Sequence, residues 1–496
     1  MTNYDKYKTL MSKIADVQYA SAVLNWDQET YMPPKGATFR AQQLSTIAGI
    51  AHELSTSKEL GDLLNELNSD VSLSEKEKRN IKESLKRYND NKKYTTEFVR
   101  ELSKTISETF QAWQKAKTDN DFASYAPHLE KLVKLKREES KLLGTFAHPY
   151  DALLDQYEPG AKTADLEVLF SDVRNQLVTF VKKIAEKPQN EDNFMFLHYP
   201  KDKQWAIGLE LLKEMGYDFE AGRQDASSHP FTTNFSPEDV RVTTRVNEND
   251  LNEMIWSCIH EGGHALYEQG LPASEYGLPS GEYISLGIHE SQSRLWENNV
   301  GRSLSYWKFN YKKLKKAFSK NLKTVTFEDF YKAMNIVKPS LIRTSADELT
   351  YHFHVLIRFE IEKALIEGTI EVKDLPAYWN AKYKEYLGID VPDDTKGVLQ
   401  DIHWSHGSFG YFPTYSLGSF YAAQFYAQAK KEIPKLEKQI AKGNTKPLLD
   451  WLREKIHKYG KYYSAEELCI AITGEKLNFK YFMEYAENKY TGLYNL

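Results

Sequence analysis

Residues 250–270 have the sequence DLNEMIWSCIHEGGHALYEQG, and this stretch carries the strongest structural signal in the chain. Apolar residues recur at intervals of three or four from Leu251 to Leu266, which is typical of an amphipathic helix. Asn249 or Asp250 is a fair N-cap at its start, and Gly270 at its end is typical of the residue after a helix. We therefore expect a helix with a buried apolar stripe, and with His260 and His264 roughly opposite that stripe.

The same stretch contains the pattern His-Glu-x-x-His at residues 260–264. His260 and His264 are one helical turn apart, so both imidazoles can reach one zinc ion, and Glu261 can act on its water. The alternative is that both histidines are merely exposed helix residues. Gly262 and Gly263 argue against it, because each costs roughly 1 kcal/mol relative to Ala in a helix. They indicate that another part of the chain approaches closely.

Spacing alone does not identify the third metal ligand. A catalytic zinc usually has three protein ligands and an open position, and no third histidine follows at the spacing of the longer zincin motif. A carboxylate from a later segment is the alternative. Glu290 has the most favourable surroundings, since residues 288–296 are predicted to form a helix with polar neighbours. The candidates that spacing leaves open are Glu268, whose geometry is poor, Glu275, Glu282, Glu290 and Glu297.

Composition restricts both the location and the partners of the protein. The 65 Lys and Arg against 70 Asp and Glu give a formal charge of −5, so a nucleic-acid-binding footprint is not expected. Two cysteines exclude a disulfide framework and a four-thiolate zinc site, and they favour the reducing cytoplasm. We expect neither a signal peptide nor a membrane span. Because the chain has too few cysteines for a site made of thiolates, the metal must be held by histidine and carboxylate.

The rest of the chain predicts a mainly α-helical fold. Only 17 Pro and 25 Gly occur in 496 residues, and residues 10–24 and 166–184 show clear helical periodicity. Residues 239–246 predict a strand just before the zinc helix. Residues 402–429 carry no charged side chain, which indicates either a groove lining or a core helix. Length alone suggests about three domains, but we expect a single catalytic domain over 1–496, with helical groove walls at 1–228, the zinc and substrate site at 229–418, and C-terminal helices at 419–496.

Six motifs in order give the chain a resemblance to the carboxypeptidase Taq (thermostable carboxypeptidase) family of zinc metallocarboxypeptidases. Singly, the first two are weak, but the ordered series is very specific, and we see no departure from the family pattern. The motifs are His-Pro-Phe at 229–231, Asp-x-Arg-x-Thr at 239–243, His-Glu-x-x-His at 260–264, His-Glu-Ser-Gln at 289–292, Ile-Arg-x-x-Ala-Asp at 342–347 and Gly-x-x-Gln-Asp-x-His-Trp at 397–404.

The resemblance implies more than the residues alone can show. It implies a mainly α-helical fold with a deep substrate groove, divided by the zinc site, and a homodimer. From the strand predicted at 239–246, we also expect a small β-sheet beside the zinc helix. The resemblance makes Glu290 the third zinc ligand and Glu261 the general acid/base for a zinc-activated water. It also implies the release of single C-terminal residues from peptides with a free C-terminus, with broad side-chain preference. Cobalt often replaces zinc in such sites.

Other candidate residues follow from the chemistry that this reaction needs. An oxyanion needs donors, and Tyr411 and Tyr415 are candidates, against the alternative of buried aromatic packing. A free carboxylate is best bound by an arginine fork. Arg343 is the first choice and Arg241 or Arg245 the second, against the alternative of structural salt bridges. His229 and His403 are expected to contact substrate, while Asp347, Asp401 and His289 are expected to orient ligands or partners by hydrogen bonds.

Three further hypotheses remain open. The strand at 239–246 can bind the peptide backbone by strand addition. A different zinc peptidase, an oligoendopeptidase or an aminopeptidase, is the nearest competing function, and peptides blocked at the C-terminus discriminate it. A non-catalytic peptide-binding protein with a structural zinc is the other alternative, and the presence of Glu261 argues against it.

Overall fold

Helices form most of the chain, as the sequence predicts. A computed structural model describes residues 2–496, without the side chains of residues 37 and 96. Its α-helices are α1 (Asn3–Thr30), α2 (Ala37–Ser55), α3 (Lys58–Asn68), α4 (Glu75–Lys92), α5 (Thr96–Asp119), α6 (Phe122–Leu143), α7 (Asp151–Leu154), α8 (Thr163–Ala185), α9 (Lys201–Met215), α10 (Leu251–Glu268), α11 (Leu286–Arg294), α12 (Leu304–Ala317), α13 (Phe327–Ala333), α14 (Tyr351–Glu367), α15 (Leu375–Leu387), α16 (Pro413–Glu432), α17 (Leu436–Ile440), α18 (Lys446–Lys455), α19 (Ala465–Thr473) and α20 (Lys480–Tyr494).

Shorter helical segments connect several of these elements. A π-helix at Leu295–Gly301 continues α11 directly. The 3-10 segments are Pro34–Gly36, Asn193–Phe196, Ala273–Glu275, Pro279–Gly281, Arg343–Ser345, Val372–Asp374, His403–His406 and His457–Tyr462. None of the described helices combines the length and the apolar composition that a membrane crossing requires.

A small sheet lies beside α10. Its strands are β1 (Gly222–Ala226), β2 (Thr232–Ser236) and β3 (Asp239–Thr244), in the order β1-β3-β2. β3 is parallel to β1 and antiparallel to β2. The predicted strand is therefore present, but it is the central one and both of its edges are already paired. The hypothesis that a peptide adds to this strand is wrong for that reason.

Contacts divide the chain into two compact units, which we describe separately. The first contains the residues up to Asn91, Asn190–Met334 and Tyr421–Leu477, and the second contains Lys92–Gln189, Asn335–Phe420 and Asn478–Leu496. The first four motifs belong to the first unit and the last two to the second. The single catalytic domain and the groove stay predictions.

In the first unit, α10 buries the side that its sequence predicts. Asp250 caps the helix by accepting a hydrogen bond from the Asn252 amide. The buried stripe includes Met254, Ile255 and Ile259, and each such side chain contributes about 1.5–3 kcal/mol when fully buried. This burial fixes the rotation of the helix, so the opposite face with the two histidines is available for chemistry.

The core of the second unit is built around α14. Apolar side chains occur on all sides of this helix, and almost all of its residues are buried, which is typical of a helix in the middle of a core. α8 packs one side only and buries Leu166, Phe170, Val173 and Leu177, as its periodicity predicts. The charge-free segment forms much of α16, whose side chains are mostly buried. Of the two alternatives for that segment, the core helix is therefore present.

Candidate metal centre

Two helices of the first unit bring the predicted metal ligands together. α10 supplies His260 and His264, and α11 supplies Glu290. The Oε2 atom of Glu290 lies 3.7 Å from Nε2 of His260 and 3.4 Å from Nε2 of His264. One ligand atom from each of the three residues lies within 4.8 Å of the others. Atoms bound at 2.0–2.1 Å to a tetrahedral zinc lie about 3.4 Å apart, so this arrangement fits a zinc ion.

The protonation states of His264 and Glu290 also fit a metal site. For His260, burial alone would lower the pKa, but Glu290 and Glu297 raise it. Burial and the neighbouring His289 lower the pKa of His264 to about 3, so its imidazole is in the neutral form that binds metals. Burial alone would raise the pKa of Glu290, but Arg294 and the two imidazoles hold it well below its ordinary value. Glu290 is therefore a carboxylate, which is the form a metal ligand needs.

The other candidate carboxylates have different partners. Glu268 is bonded to Nε2 of His289 at 2.7 Å, and Glu275 pairs with Lys76. Glu282 pairs with Arg87. Glu297 does approach the site, but at Nδ1 of His260 rather than at Nε2. Glu290 is thus the candidate whose carboxylate faces both histidines.

The two glycines of the motif explain how the helices come so close. A Cβ atom on Gly263 would lie 2.6 Å from Cα of Ser293 and 2.7 Å from the carbonyl oxygen of Gln292, both backbone atoms of α11. A Cβ atom on Gly262 would lie 2.7 Å from a methyl group of Leu212 on α9. The close approach that the glycines predict is therefore present on both sides of α10, and at Gly263 it sets the distance to Glu290.

Replacing Gly263 with Ala is expected to weaken metal binding and to destabilise the protein by about 1–3 kcal/mol, because the new methyl group meets backbone that cannot rotate away. Chemical unfolding and chelator competition measure the two effects. Gly49→Ala on α2 is the matched control, since a Cβ atom there meets nothing within 4 Å. That variant should be neutral or gain up to about 1 kcal/mol. Equal behaviour of the two variants would contradict the packing argument.

A network of charges orients the first histidine. Nδ1 of His260 lies 2.8 Å from Oε2 of Glu297, which leaves Nε2 for a metal. Arg294 bridges the two glutamates, with Nε 2.6 Å from Glu290 and Nη1 3.1 Å from Glu297. Arg302 reaches the other oxygen of Glu297 at 3.3 Å. Two arginines therefore balance the charges of the two buried carboxylates.

Glu261 is buried beside the metal ligands, and β2 holds it there. The hydroxyl group of Thr232 donates to Oε2 of Glu261 at 2.7 Å and to the Glu261 carbonyl at 3.0 Å. Burial raises the pKa of Glu261 above its ordinary value. A carboxylate with a raised pKa is suited to exchanging protons near neutral pH.

His289 packs against the second histidine. Its ring stacks on the ring of His264 with centroids 4.4 Å apart, and Nε2 is 2.7 Å from Glu268. Asn234 of β2 donates to the other oxygen of Glu268 at 2.7 Å. His289 therefore supports the site through ring packing, with its own orientation fixed by Glu268.

The remaining motif residues of the first unit are mostly occupied by structural contacts. Arg241 forms two 2.8 Å bonds to Asp239, and its guanidinium lies over the rings of Trp26 and Phe235. These contacts favour the structural salt bridge as its role. Arg245 lies 3.1 Å from Glu253. The side chain of His229 is exposed.

In the second unit, the last two motifs meet at the carboxylate of Asp401, whose side chain is 12% exposed. Nε of Arg343 donates to Oδ1 of Asp401 at 3.0 Å, and Nε of Arg358 donates to Oδ2 at 2.6 Å. Asp347 is expected to orient its partners by hydrogen bonds, and the structure gives it partners other than Arg343. Asp347 instead accepts the backbone amides of Lys338, Leu349 and Thr350, so it shapes the turn before α14.

The histidine and tyrosine candidates of this unit form one aromatic group. Nε2 of His403 is 3.2 Å from the hydroxyl oxygen of Tyr415, and its ring lies 5.3 Å from that of Tyr411. Burial and Arg343 lower the pKa of His403 to about 3, so its ring is neutral. The three residues can offer hydrogen bonds but no charge.

Glu362 on α14 anchors the loop that carries His403. Its carboxylate accepts hydrogen bonds from Trp404 Nε1 at 2.9 Å, the Gly410 amide at 2.8 Å and the Tyr150 hydroxyl at 2.5 Å. The carboxylate is fully buried, and this burial raises its pKa from 4.5 to about 7.

Stability is therefore expected to depend on pH through Glu362. Because the folded pKa is higher than the unfolded one, the folded chain binds the proton more tightly. The resulting stabilisation is complete below about pH 4.5 and is lost as pH rises through about 7, an effect of about 3 kcal/mol. Thermal midpoints at pH 5 and pH 8 measure it. The thermal midpoint of Glu362→Gln should increase relative to that of wild type between pH 5 and pH 8. A difference in midpoint that does not change with pH would contradict the prediction.

Sequence reasoning missed three supporting residues. Thr232 follows the His-Pro-Phe motif directly but has no motif of its own. Arg294 lies four residues after Glu290, a spacing that places two side chains on one helix face and could have indicated the pair. Arg358 lies outside all six motifs, and no local signal distinguishes it.

Comparisons with known proteins show a similarity that extends over almost the whole chain. A family model described as carboxypeptidase Taq (M32) metallopeptidase matches residues 6–490. Carboxypeptidase 1 of Bacillus subtilis is 39% identical over 498 residues, covering 99% of each chain. A solved structure named "The Structure of CHT" is 56% identical, with a TM-score of 0.97, and covers 100% of this chain and 99% of that one. The M32 carboxypeptidase structure from Deinococcus radiodurans is 37% identical, with a TM-score of 0.98, and covers 100% of both.

Proposed function

Because the chain belongs to the carboxypeptidase Taq (M32) metallopeptidase family, we propose that it removes single residues from the free C-terminus of peptides. The observation that carries the proposal is the carboxylate of Glu290 facing Nε2 of both histidines, 3.4 and 3.7 Å away. The adjacent Glu261 is held separately by Thr232. A structural metal needs the three ligands but not this additional carboxylate.

Zinc is the proposed metal, with cobalt able to replace it. Two imidazoles and one carboxylate form a ligand set typical of catalytic zinc, with room for a fourth position. His260, His264 and Glu290 would hold the ion, and Glu297 would fix the ring of His260. When bound, the ion would supply Lewis-acid polarisation of the substrate carbonyl and a lower pKa for water.

Glu261 is the proposed general acid/base. Its carboxylate would take a proton from the attacking water and give it to the amine that leaves. The Thr232 hydroxyl would keep one carboxylate oxygen in place, so the other is directed to the proton. The raised pKa of Glu261 supports both halves of this exchange, since the group must be deprotonated first and protonated later.

Residues of the second unit are proposed to contact the substrate. Arg343 would bind the free carboxylate, since its guanidinium retains two N–H groups for another acceptor after its contacts to Asp401 and Tyr351. Tyr411 and Tyr415 would donate to the oxyanion, and His403 would orient Tyr415. Asp401 and Asp347 would support this group, and Arg241 and His229 are the remaining candidates for substrate contact.

Metal analysis and a time course on three forms of one peptide test the proposal. The purified protein should contain one zinc per chain and shorten the free peptide one residue at a time from its C-terminus. It should also shorten the N-acetylated form, which an aminopeptidase cannot, and leave the C-terminally amidated form intact. Cleavage of the amidated form at a similar rate would favour an oligoendopeptidase. Zinc without any cleavage would favour the non-catalytic alternative.

A homodimer, broad specificity and a cytoplasmic location complete the proposal. Among the side chains that the structure describes in α2, none is buried, and Phe39 is 70% exposed. Such a helix supports an interface with a second copy. Light scattering should give twice the chain mass, and a monomer at micromolar concentration would contradict the homodimer.

Both cysteines are buried and unpaired, which suits a reducing compartment such as the cytoplasm.

A further inference from the structure

We propose that Arg358 is a positioning residue that neutralises Asp401, so that the positive charge of Arg343 is available to the free carboxylate of a peptide. This inference rests on the proposed function and deepens it, because it explains how a buried, salt-bridged arginine can still bind an anion. It assigns a role to a residue that lies outside all six motifs.

Arg358 is fully buried in the core of the second unit. Its Nη2 lies 2.5 Å from Oδ2 of Asp401 and donates to Oε1 of Gln400 at 2.9 Å, while Nη1 donates to the His354 carbonyl at 2.9 Å. The guanidinium also lies over the ring of Trp379, 4.4 Å from its centroid. These contacts fix the side chain in one position and leave it no room to approach a ligand.

The carboxylate of Asp401 is divided between the two arginines. Arg358 binds Oδ2 through its Nε and Nη2 atoms. Arg343 binds Oδ1 through its own Nε and Nη2 atoms, each at 3.0 Å. Each arginine thus binds one oxygen of the Asp401 carboxylate. Gln400 reinforces the pairing, since its Oε1 accepts both the Arg343 amide at 3.0 Å and the Arg358 guanidinium.

The group as a whole has an excess of positive charge. Two guanidinium groups face one carboxylate, and the pKa of Asp401 is held well below its ordinary value by them, so it stays ionised. Burial and the arginines lower the pKa values of His354 and His403, so neither adds charge. Lys117, which donates to the Gln400 carbonyl at 3.0 Å, adds positive charge at the edge. Buried charges in proteins are normally paired, so the excess indicates a site for an anion.

Arg343 is the arginine that can meet this anion. Of its five N–H groups, Nε–H and one on Nη2 are directed to Asp401, and one on Nη1 to the Tyr351 hydroxyl at 2.9 Å. The other two N–H groups of Arg343 have no acceptor within residues 2–496, so they remain for a ligand. Without Arg358, the pair of Arg343 and Asp401 would be neutral and would attract a carboxylate only weakly.

A charge cycle tests this role. Arg358→Gln removes the excess charge, and we expect about a 10- to 100-fold weaker affinity for N-acetyl-phenylalanine, the size of one lost charge-assisted hydrogen bond. Adding Asp401→Asn to Arg358→Gln restores the excess of positive charge. The double variant should therefore bind N-acetyl-phenylalanine within about threefold of wild type, which is less than the tenfold change that corresponds to 1.4 kcal/mol. Calorimetry with N-acetyl-phenylalanine and with its amide measures the affinities. The amide should bind equally weakly to all variants.

The cycle separates a charge effect from a packing effect. If Arg358 only supports the fold, the double variant should bind no better than Arg358→Gln, and that result would overturn the inference. Should Arg358→Gln fail to fold, Asp401→Asn alone decides, since the inference requires that it bind the acid at least as tightly as wild type. Arg137→Gln is the matched control. Arg137 donates to the carbonyl of Leu365 on α14, the helix that carries Arg358, but does not contact Asp401.

Failure of the proposed function would have a different signature. If the amidated peptide is cleaved while N-acetyl-phenylalanine still binds with the expected charge pattern, the reaction is misassigned but the carboxylate site stands. If Arg343→Gln leaves the binding of N-acetyl-phenylalanine unchanged, the site itself is wrong.

Discussion

Glu261→Gln is expected to lower kcat by about 10²–10⁴-fold while one metal ion per chain stays bound. The amide has the same shape and can still accept the Thr232 hydrogen bond, but it cannot take a proton from water. Because Glu261 is not among the three ligand residues, the metal should be retained. Steady-state kinetics on a short peptide and metal analysis of the same preparation measure the two quantities together.

Glu253→Gln provides the control for this substitution. It makes the same chemical change on the same helix, at a residue that pairs with Arg245 instead of the metal ligands. Its kcat and metal content should match the wild-type values. Wild-type activity in Glu261→Gln would overturn the general acid/base assignment, and loss of metal would indicate that Glu261 acts as a ligand.

Glu290→Gln should weaken metal binding more than about 100-fold, because removing a ligand should exceed the 10–100-fold typical of an orienting partner. The substitution also leaves Arg294 next to two histidines with one fewer negative charge. Competition with a chromogenic chelator measures the affinity, and circular dichroism checks that the helices remain.

Two other glutamates test the assignment of Glu290. Glu297→Gln should weaken metal binding by only about 10–100-fold, since it orients His260 rather than binding the ion. Glu275→Gln should have no effect, because Glu275 pairs with Lys76 and Ser280. A larger loss in Glu297→Gln than in Glu290→Gln would mean that the ligand and its orienting partner have been exchanged.

Much of the metal helix is predictable because its determinants are local. The apolar stripe and the placement of the two histidines follow from helical periodicity. Residue type predicts a cap at Asn249 or Asp250, and the structure has it at Asp250. The cost of Gly263 also indicates the close approach of another segment, although not which segment it is. The strand β3 is predictable for the same reason, since its β-branched residues favour extended backbone.

Contacts between elements are less predictable. The spacing of Glu290 and Glu297 cannot show which of them meets Nε2 of His260 and which meets Nδ1, since that depends on how α10 and α11 cross. β1 is a polar five-residue strand without β-branched residues, so its sequence gives no strand signal. Once it is missed, the central position of β3 cannot be predicted either.

The π-helix after α11 changes how the metal centre should be compared with others. The Arg302 amide donates to the Glu297 carbonyl five residues earlier, at 2.9 Å, so the chain gains a residue per turn just where Glu297 lies. Such turns often occur at functional sites. The seven-residue interval from Glu290 to Glu297 is close to two α-helical turns, but the wider turn rotates Glu297 away from the direction that a regular α-helix would give it. A superposition on other helical metal sites that continues α11 as a regular α-helix would therefore point the Glu297 side chain in a different direction.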